Sequence, residues 1–197
     1  MGVMRESAHM KKSKSSLPIL TILTVISCFG ISGCKTPTET SVTRIGVYDS
    51  RSIAVAFIGS EIYQNSSIGK QHAALQAELM KAKAEGDNER FEELCKQAEP
   101  QTTLLHQQGF STAPVDDILE HITDRLPEIM KQAEVDRLIS KWDTKTLAKH
   151  ESSEREDVTI LLIEAFKPNE RQKAIAIGIQ NHKPLPLEKM KGPGHTE

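Results

Sequence analysis

Aromatic side chains are scarce in this chain: five Phe, two Tyr and one Trp make up 4% of its 197 residues. So little aromatic volume argues against a thick globular core, and the Ala, Gln, Glu, Lys and Leu of the middle region suit helices that bury a narrow stripe. Cationic excess is also missing, with 25 Lys and Arg against 27 Asp and Glu. That excludes the clustered positive surface by which proteins displace counterions from nucleic acid. The sequence has no Gly-rich phosphate loop, no nucleophile elbow and no isolated carboxylate pair in an apolar setting. No catalytic residue is therefore assigned, no cofactor is implied, and a non-enzymatic protein is expected. Metal ligands are equally thin: His121 with Asp124, His150 with Glu154, and His72 with His106 each lack a third partner at diagnostic spacing.

What is present begins with a leader. Arg5, Lys11, Lys12 and Lys14 precede an uncharged apolar run over 17–31. The run is too short for a comfortable membrane span and reads as a secretory signal. Ile31-Ser32-Gly33-Cys34 closes it and resembles the lipobox of bacterial lipoproteins. The resemblance implies that residues 1–33 form a signal peptide and that Cys34 is lipidated. It places the protein in the bacterial envelope, anchored by lipid and facing the periplasm, with the outer membrane as the expected site. Without the leader, 21 basic residues stand against 26 acidic ones, a net charge of about −5. Cys28 leaves with the signal and Cys34 is acylated, so Cys95 has no intramolecular disulfide partner. Burial as a small hydrophobe is the expectation for it, ahead of an interchain bridge or a reactive thiol.

Along the remaining chain, 34–42 is a polar Thr-rich tether. Residues 42–48 alternate as a short strand, and Asp49 or Ser50 can cap the helix containing Ile53, Ala54, Phe57 and Ile58. Gly59 and Gly69 weaken that helix without ending it. A helical hairpin follows over 64–108. Ile68, Leu75, Leu79 and Ala82 form one thin stripe, Gly86 and Asp87 supply the turn, and Phe91, Leu94, Ala98 and Leu105 return at coiled-coil spacing. Pro100 is expected to interrupt the return limb. A second amphipathic stripe runs over 115–133, with a kink expected at Pro127. Residues 135–142 read as a strand, 144–149 as its possible partner, and Trp142 as a core anchor. Ser153 and Glu156 have capping-box spacing before a closing helix that Pro168 stops. The tail over 168–197 is expected to be disordered.

The opening Arg44-Ile45-Gly46-Val47-Tyr48-Asp49-Ser50, the Ala133-Glu134-Val135-Asp136-Arg137-Leu138-Ile139 segment leading to Trp142, and Glu156-Asp157-Val158-Thr159 together resemble the Skp/OmpH family of periplasmic chaperones. The likeness covers 43–167. It implies a mainly α fold with a small β body, a long antiparallel hairpin arm over about 60–133 projecting from a short-stranded sheet, and completion of that sheet in a homotrimer. It also implies a holdase for unfolded outer-membrane proteins, with Ile68, Leu75, Leu79, Phe91, Leu94 and Leu105 as the client-binding arm stripe. The arms depart from the family in being acidic, and a lipid anchor is unusual for a carrier. The acidic arms, with their return limb expected to break at Pro100, favour the alternative of a structural or adaptor lipoprotein that docks one folded envelope partner.

Overall fold

The computed structural model describes residues 43–190. The expected signal peptide, the lipidation at Cys34, the tether at 34–42 and the end of the tail at 191–197 lie outside the described residues. The described chain is mainly helical around a three-stranded parallel sheet. Strand β1 (Arg44–Tyr48) is central, with β2 (Arg137–Ser140) on one side and β3 (Glu154–Asp157) on the other. Ile45 pairs with Arg137 and Val47 with Ile139, while on the opposite edge Ile45 faces Arg155 and Val47 faces Asp157. The two segments whose alternation predicts strands at 42–48 and 135–142 thus meet in one sheet.

The third strand lies elsewhere than expected. Residues 144–149 form not a strand but a helix, whose N-terminus Asp143 caps by accepting the Thr146 N–H. A parallel β3 on the far side of β1 requires a crossover, and this helix provides it. Glu156 belongs to β3 and not to a capping box with Ser153. The closing helix opens instead with Asp157, which accepts the Thr159 N–H at 2.9 Å.

Helix α1 (Ser50–Ile58) starts where the Asp49 side chain accepts the Arg51 N–H, and Gly59 does end it. Ile53, Ala54, Ala56 and Phe57 of α1 are buried with Val115, Ile118, Ile122, Leu162, Ile163 and Phe166 in the main core. After α2 (Glu61–Asn65), the Ser66 side chain caps α3 (Ser67–Glu85). Gly86, at φ 72°, turns the chain in the left-handed conformation that favours glycine, and Asp87 caps α4 (Asn88–Phe110). Pro100 does not interrupt α4, which runs through it. A proline deletes only one ladder donor, and the adjacent Gln101 is tied by its side-chain amide to the Ile68 carbonyl of the opposite limb.

The stripe over 115–133 is not one kinked helix. It divides into α5 (Asp116–Leu119), a 3-10 turn (Glu120–Ile122) and α6 (Leu126–Gln132). Pro127 sits in the first turn of α6, where a missing N–H breaks no bond, so it opens a helix rather than bending one. Its apolar members Ile118, Ile122 and Ile129 still reach the main core. Beyond the crossover helix α7 (Thr144–Lys149) comes α8 (Thr159–Ala165). The expected disorder from 168 onward is corrected by α9 (Glu170–Gly178), which Asn169 and Gln172 open with a reciprocal capping box. Ala176 buries that helix against the core. Farther on, the Leu185 N–H donates to the Phe110 carbonyl and the Ser111 hydroxyl donates to the Leu185 carbonyl. Among the described residues, no helix is long and apolar enough to cross a membrane.

Candidate functional site

The six stripe residues do not form one free face. Leu79 and Leu94 close a small cluster with Ala82 and Ala98 between the limbs, flanked by half-buried Leu75 and Phe91. Leu94 is only 1% exposed. Ile68 packs against the main core instead. Leu105 is half-buried and borders a cavity of about 350 Å³ beside Pro100, Leu104 and Ile118. Four of the six therefore hold the two limbs to each other. The large hydrophobics these limbs do present are Met80 at 67%, Leu104 at 44% and Phe110 at 45% exposure. Cys95 is exposed and not buried as expected, because a helix turns by about 100° per residue and its neighbour Leu94 takes the inward position.

A denser constellation lies at the carboxyl ends of the strands, the edge at which open parallel sheets characteristically bind ligands. Asp49 follows β1, Lys141 and Trp142 follow β2, and Thr159 follows β3. Asp49 has no solvent exposure and Arg51 has 1%. The Arg51 guanidinium grips the carboxylate as a fork, Nε to Oδ1 at 3.1 Å and Nη2 to Oδ2 at 2.8 Å. Trp142 Nε1 donates to Oδ1 at 3.2 Å, and Lys141 Nζ lies 2.7 Å from Oδ2. The Asp49 N–H donates to Thr159 Oγ1, and Arg51 Nη1 donates to the His182 carbonyl. Both cations also stand over the Trp142 ring, Arg51 at 5.1 Å and Lys141 at 4.8 Å from its centre.

Burial by itself pushes the Asp49 carboxyl up. The hydrogen bonds and charges of Arg51 and Lys141 outweigh it and hold the group below its ordinary value. With both oxygens engaged by donors, Asp49 ties the ends of all three strands together and is not poised to take a proton from a substrate. Trp142 is accordingly half-buried and held by a polar contact, rather than anchoring the apolar core. Sequence reasoning assigned Asp49 only a capping role and passed over Arg51 and Lys141. The available signal was the Asp-Ser-Arg spacing, which lets an arginine two residues on fold back over the carboxylate that caps its own helix.

The histidines considered as ligands are dispersed. His121 stacks on Phe57, His72 lies 3.0 Å from the Tyr63 hydroxyl, and His150 lies 3.0 Å from Arg137. Among the described residues, no group of three or more His, Cys, Asp or Glu side chains is arranged to hold a metal ion. Compared with protein-family models, with curated proteins and with solved structures, this chain finds no match in any of the three.

Proposed function

We propose that this chain is a polypeptide-binding protein of the bacterial envelope, lipid-anchored and of the Skp/OmpH kind, that assembles as a homotrimer and holds unfolded or extended outer-membrane proteins with helical arms. The observation that carries the reading is the joining of β1 to β2 in one small sheet, with a two-helix hairpin that has an apolar cluster of its own inserted between them in the chain. A sheet of three short strands is marginal alone and gains from completion by sister copies. Strand β3, exposed at all four positions, is an outer edge through which copies can join. Leu75, Leu79, Phe91 and Leu94 of the stripe take part by keeping the arm rigid, and contact with a client falls to the exposed Met80, Leu104 and Phe110.

Two measurements on the soluble form from residue 35 onward test this. Its mass in solution is expected to be that of a trimer. It should suppress light scattering from a diluted, urea-unfolded outer-membrane β-barrel protein near one trimer per client. A monomer that gives no suppression at any ratio would end the proposal.

A second reading is an adaptor that docks one folded partner. It is favoured by the closure of the stripe inside the hairpin and by the exposed acidic residues that α4 presents, Glu89, Glu92 and Glu93 among them. Crosslinking in the envelope followed by recovery of one dominant folded partner, rather than many unfolded ones, would select it.

A further inference from the structure

A crevice of about 330 Å³ opens at the carboxyl ends of β1 and β2, between the first turns of α5 and α7. Its polar lining includes Tyr48, Asp116 and Asp143, and its apolar wall includes Val115, Leu138 and the ring of Trp142. Tyr48 is 6% exposed, and its hydroxyl has no hydrogen-bond partner among the described residues. The side chain is thus almost wholly buried while its hydroxyl makes no hydrogen bond there, so an N–H donor that enters the crevice finds an acceptor in its wall. Asp116 and Asp143 stand close enough to raise the Tyr48 phenol, after burial, which raises it most. Neither carboxylate forms an ion pair among the described residues, whereas Lys141 nearby is committed to Asp49. Lys145 and Lys149 of α7 act on Asp143, but the capping bonds from Thr146 lower it more. The crevice is therefore an acidic, partly apolar hollow with an unused oxygen in its wall.

We propose that this crevice binds an organic cation, a primary ammonium or guanidinium group carried either on a small molecule or on the side chain of a polypeptide. Asp116 and Asp143 supply the opposing charge, the Tyr48 oxygen accepts one N–H, and the aliphatic stem lies against Val115, Leu138 and Trp142. The volume falls in the range of small-ligand sites, and the apolar wall suits a carbon stem better than a hydrated metal ion. The site lies on the sheet and does not rest on the polypeptide-holding role of the arms.

Trp142 is the only tryptophan and lines the crevice, so its emission reports occupancy in the full chain. Titration with n-pentylamine should give a saturable change, and titration with n-pentanol, its uncharged counterpart, should not. Asp116→Asn should raise the half-saturating amine concentration by about tenfold and Tyr48→Phe by about threefold, while Glu92→Gln on the arm leaves it unchanged. Asp116→Ser replaces the Asn variant if the latter loses its helical far-ultraviolet signal. A peptide with one lysine, compared with its acetylated form, separates the two sources. Tighter binding than pentylamine that acetylation abolishes assigns the cation to a polypeptide, and equal or weaker binding assigns it to a free amine. Equal responses to amine and alcohol, no saturable response to the amine, or an Asp116 variant that binds as well as the parent each overturns the proposal.

Discussion

Lys141 Nζ lies 2.7 Å from Asp49 Oδ2, so the turn after β2 is fastened to the turn after β1 through a carboxylate shielded from water. The same carboxylate is forked by Arg51, whose side chain is 1% exposed, whereas that of Lys141 is 32% exposed. The two cations should therefore differ in weight. Arg51→Met leaves a buried carboxylate without its forked counter-charge and should cost about 3–5 kcal/mol in urea unfolding. Lys141→Met removes a partly solvated partner and should cost about 1 kcal/mol or less. Equal losses in the two variants would show that the Arg51 fork adds nothing beyond a surface pair.

The acid limb of stability follows from the same group. The folded carboxyl of Asp49 lies below its ordinary value, so its contribution is fully present above the unfolded pKa and disappears as pH falls through the folded one. Urea midpoints should hold near neutrality and drop below about pH 4, where a free aspartate takes up its proton. In Asp49→Asn, the neutral-pH midpoint should already be low and the fall on acidification shallower. A parallel fall in both proteins would assign the acid limb to other carboxylates.

The alkaline limb belongs to Tyr48. Its phenol is pushed up to about 12, first by burial and then by Asp116 and Asp143. With the folded pKa above the unfolded one, the contribution is fully present below the unfolded value near 10 and is lost as pH rises from there toward the folded value. Tyr63, the other tyrosine, is raised by burial too. Ultraviolet titration of the native chain should thus show little phenolate at pH 10, with ionisation accompanying unfolding above it. Tyr48→Phe should flatten part of the stability loss between pH 10 and 12.

Elements whose signal is local were legible in the sequence. The alternation of Ile45 and Val47, the Gly86–Asp87 turn and the hairpin periodicity each reappear in the fold, because each is decided by a few neighbouring residues. What was not legible depends on distant partners. Residues 144–149 have no intrinsic bar to a strand, and they become helix because β3 lies across β1 and needs a crossover. Helix α9 looks weakly patterned in isolation, and it is Ala176 meeting the core that gives it a place. The Asp49 constellation was hidden for the same reason, since Lys141 and Trp142 reach it only once β1 and β2 are paired. The stripe residues were located by period alone, and a period cannot say whether an apolar face meets a sister helix or a client.

Gly69 gives a steric test of how α2 passes into α3. A Cβ at this position would run into the carbonyl oxygen of Tyr63, a backbone atom that cannot yield without moving α2. At Gly109 of α4, an added Cβ meets only the Val55 side chain, at 3.9 Å. Gly69→Ala should therefore lower stability by about 2 kcal/mol or more through strain. Gly109→Ala should be neutral or stabilise by up to about 1 kcal/mol, since alanine loses less backbone freedom in a helix. Thermal unfolding of the pair separates close approach from helix propensity, which alone predicts a gain at both sites.

The arm supplies a test that divides rigidity from recognition. Leu94 is closed within the cluster it shares with Leu79, Ala82 and Ala98, apart from the main core, so truncating it should loosen the limbs before it unfolds the sheet. Leu94→Ala should cost about 2–5 kcal/mol, with hydrogen exchange rising first in α3 and α4 while β1 stays protected. Met80 is exposed on α3, and a serine there should change stability by less than about 0.5 kcal/mol. If the arms hold clients through their exposed hydrophobics, Met80→Ser combined with Leu104→Ser should weaken suppression of client scattering with the melting temperature unchanged. Leu94→Ala should weaken it only as far as the arm itself frays. Full suppression by the double variant would remove the limbs' exposed side chains from recognition and leave the adaptor reading ahead.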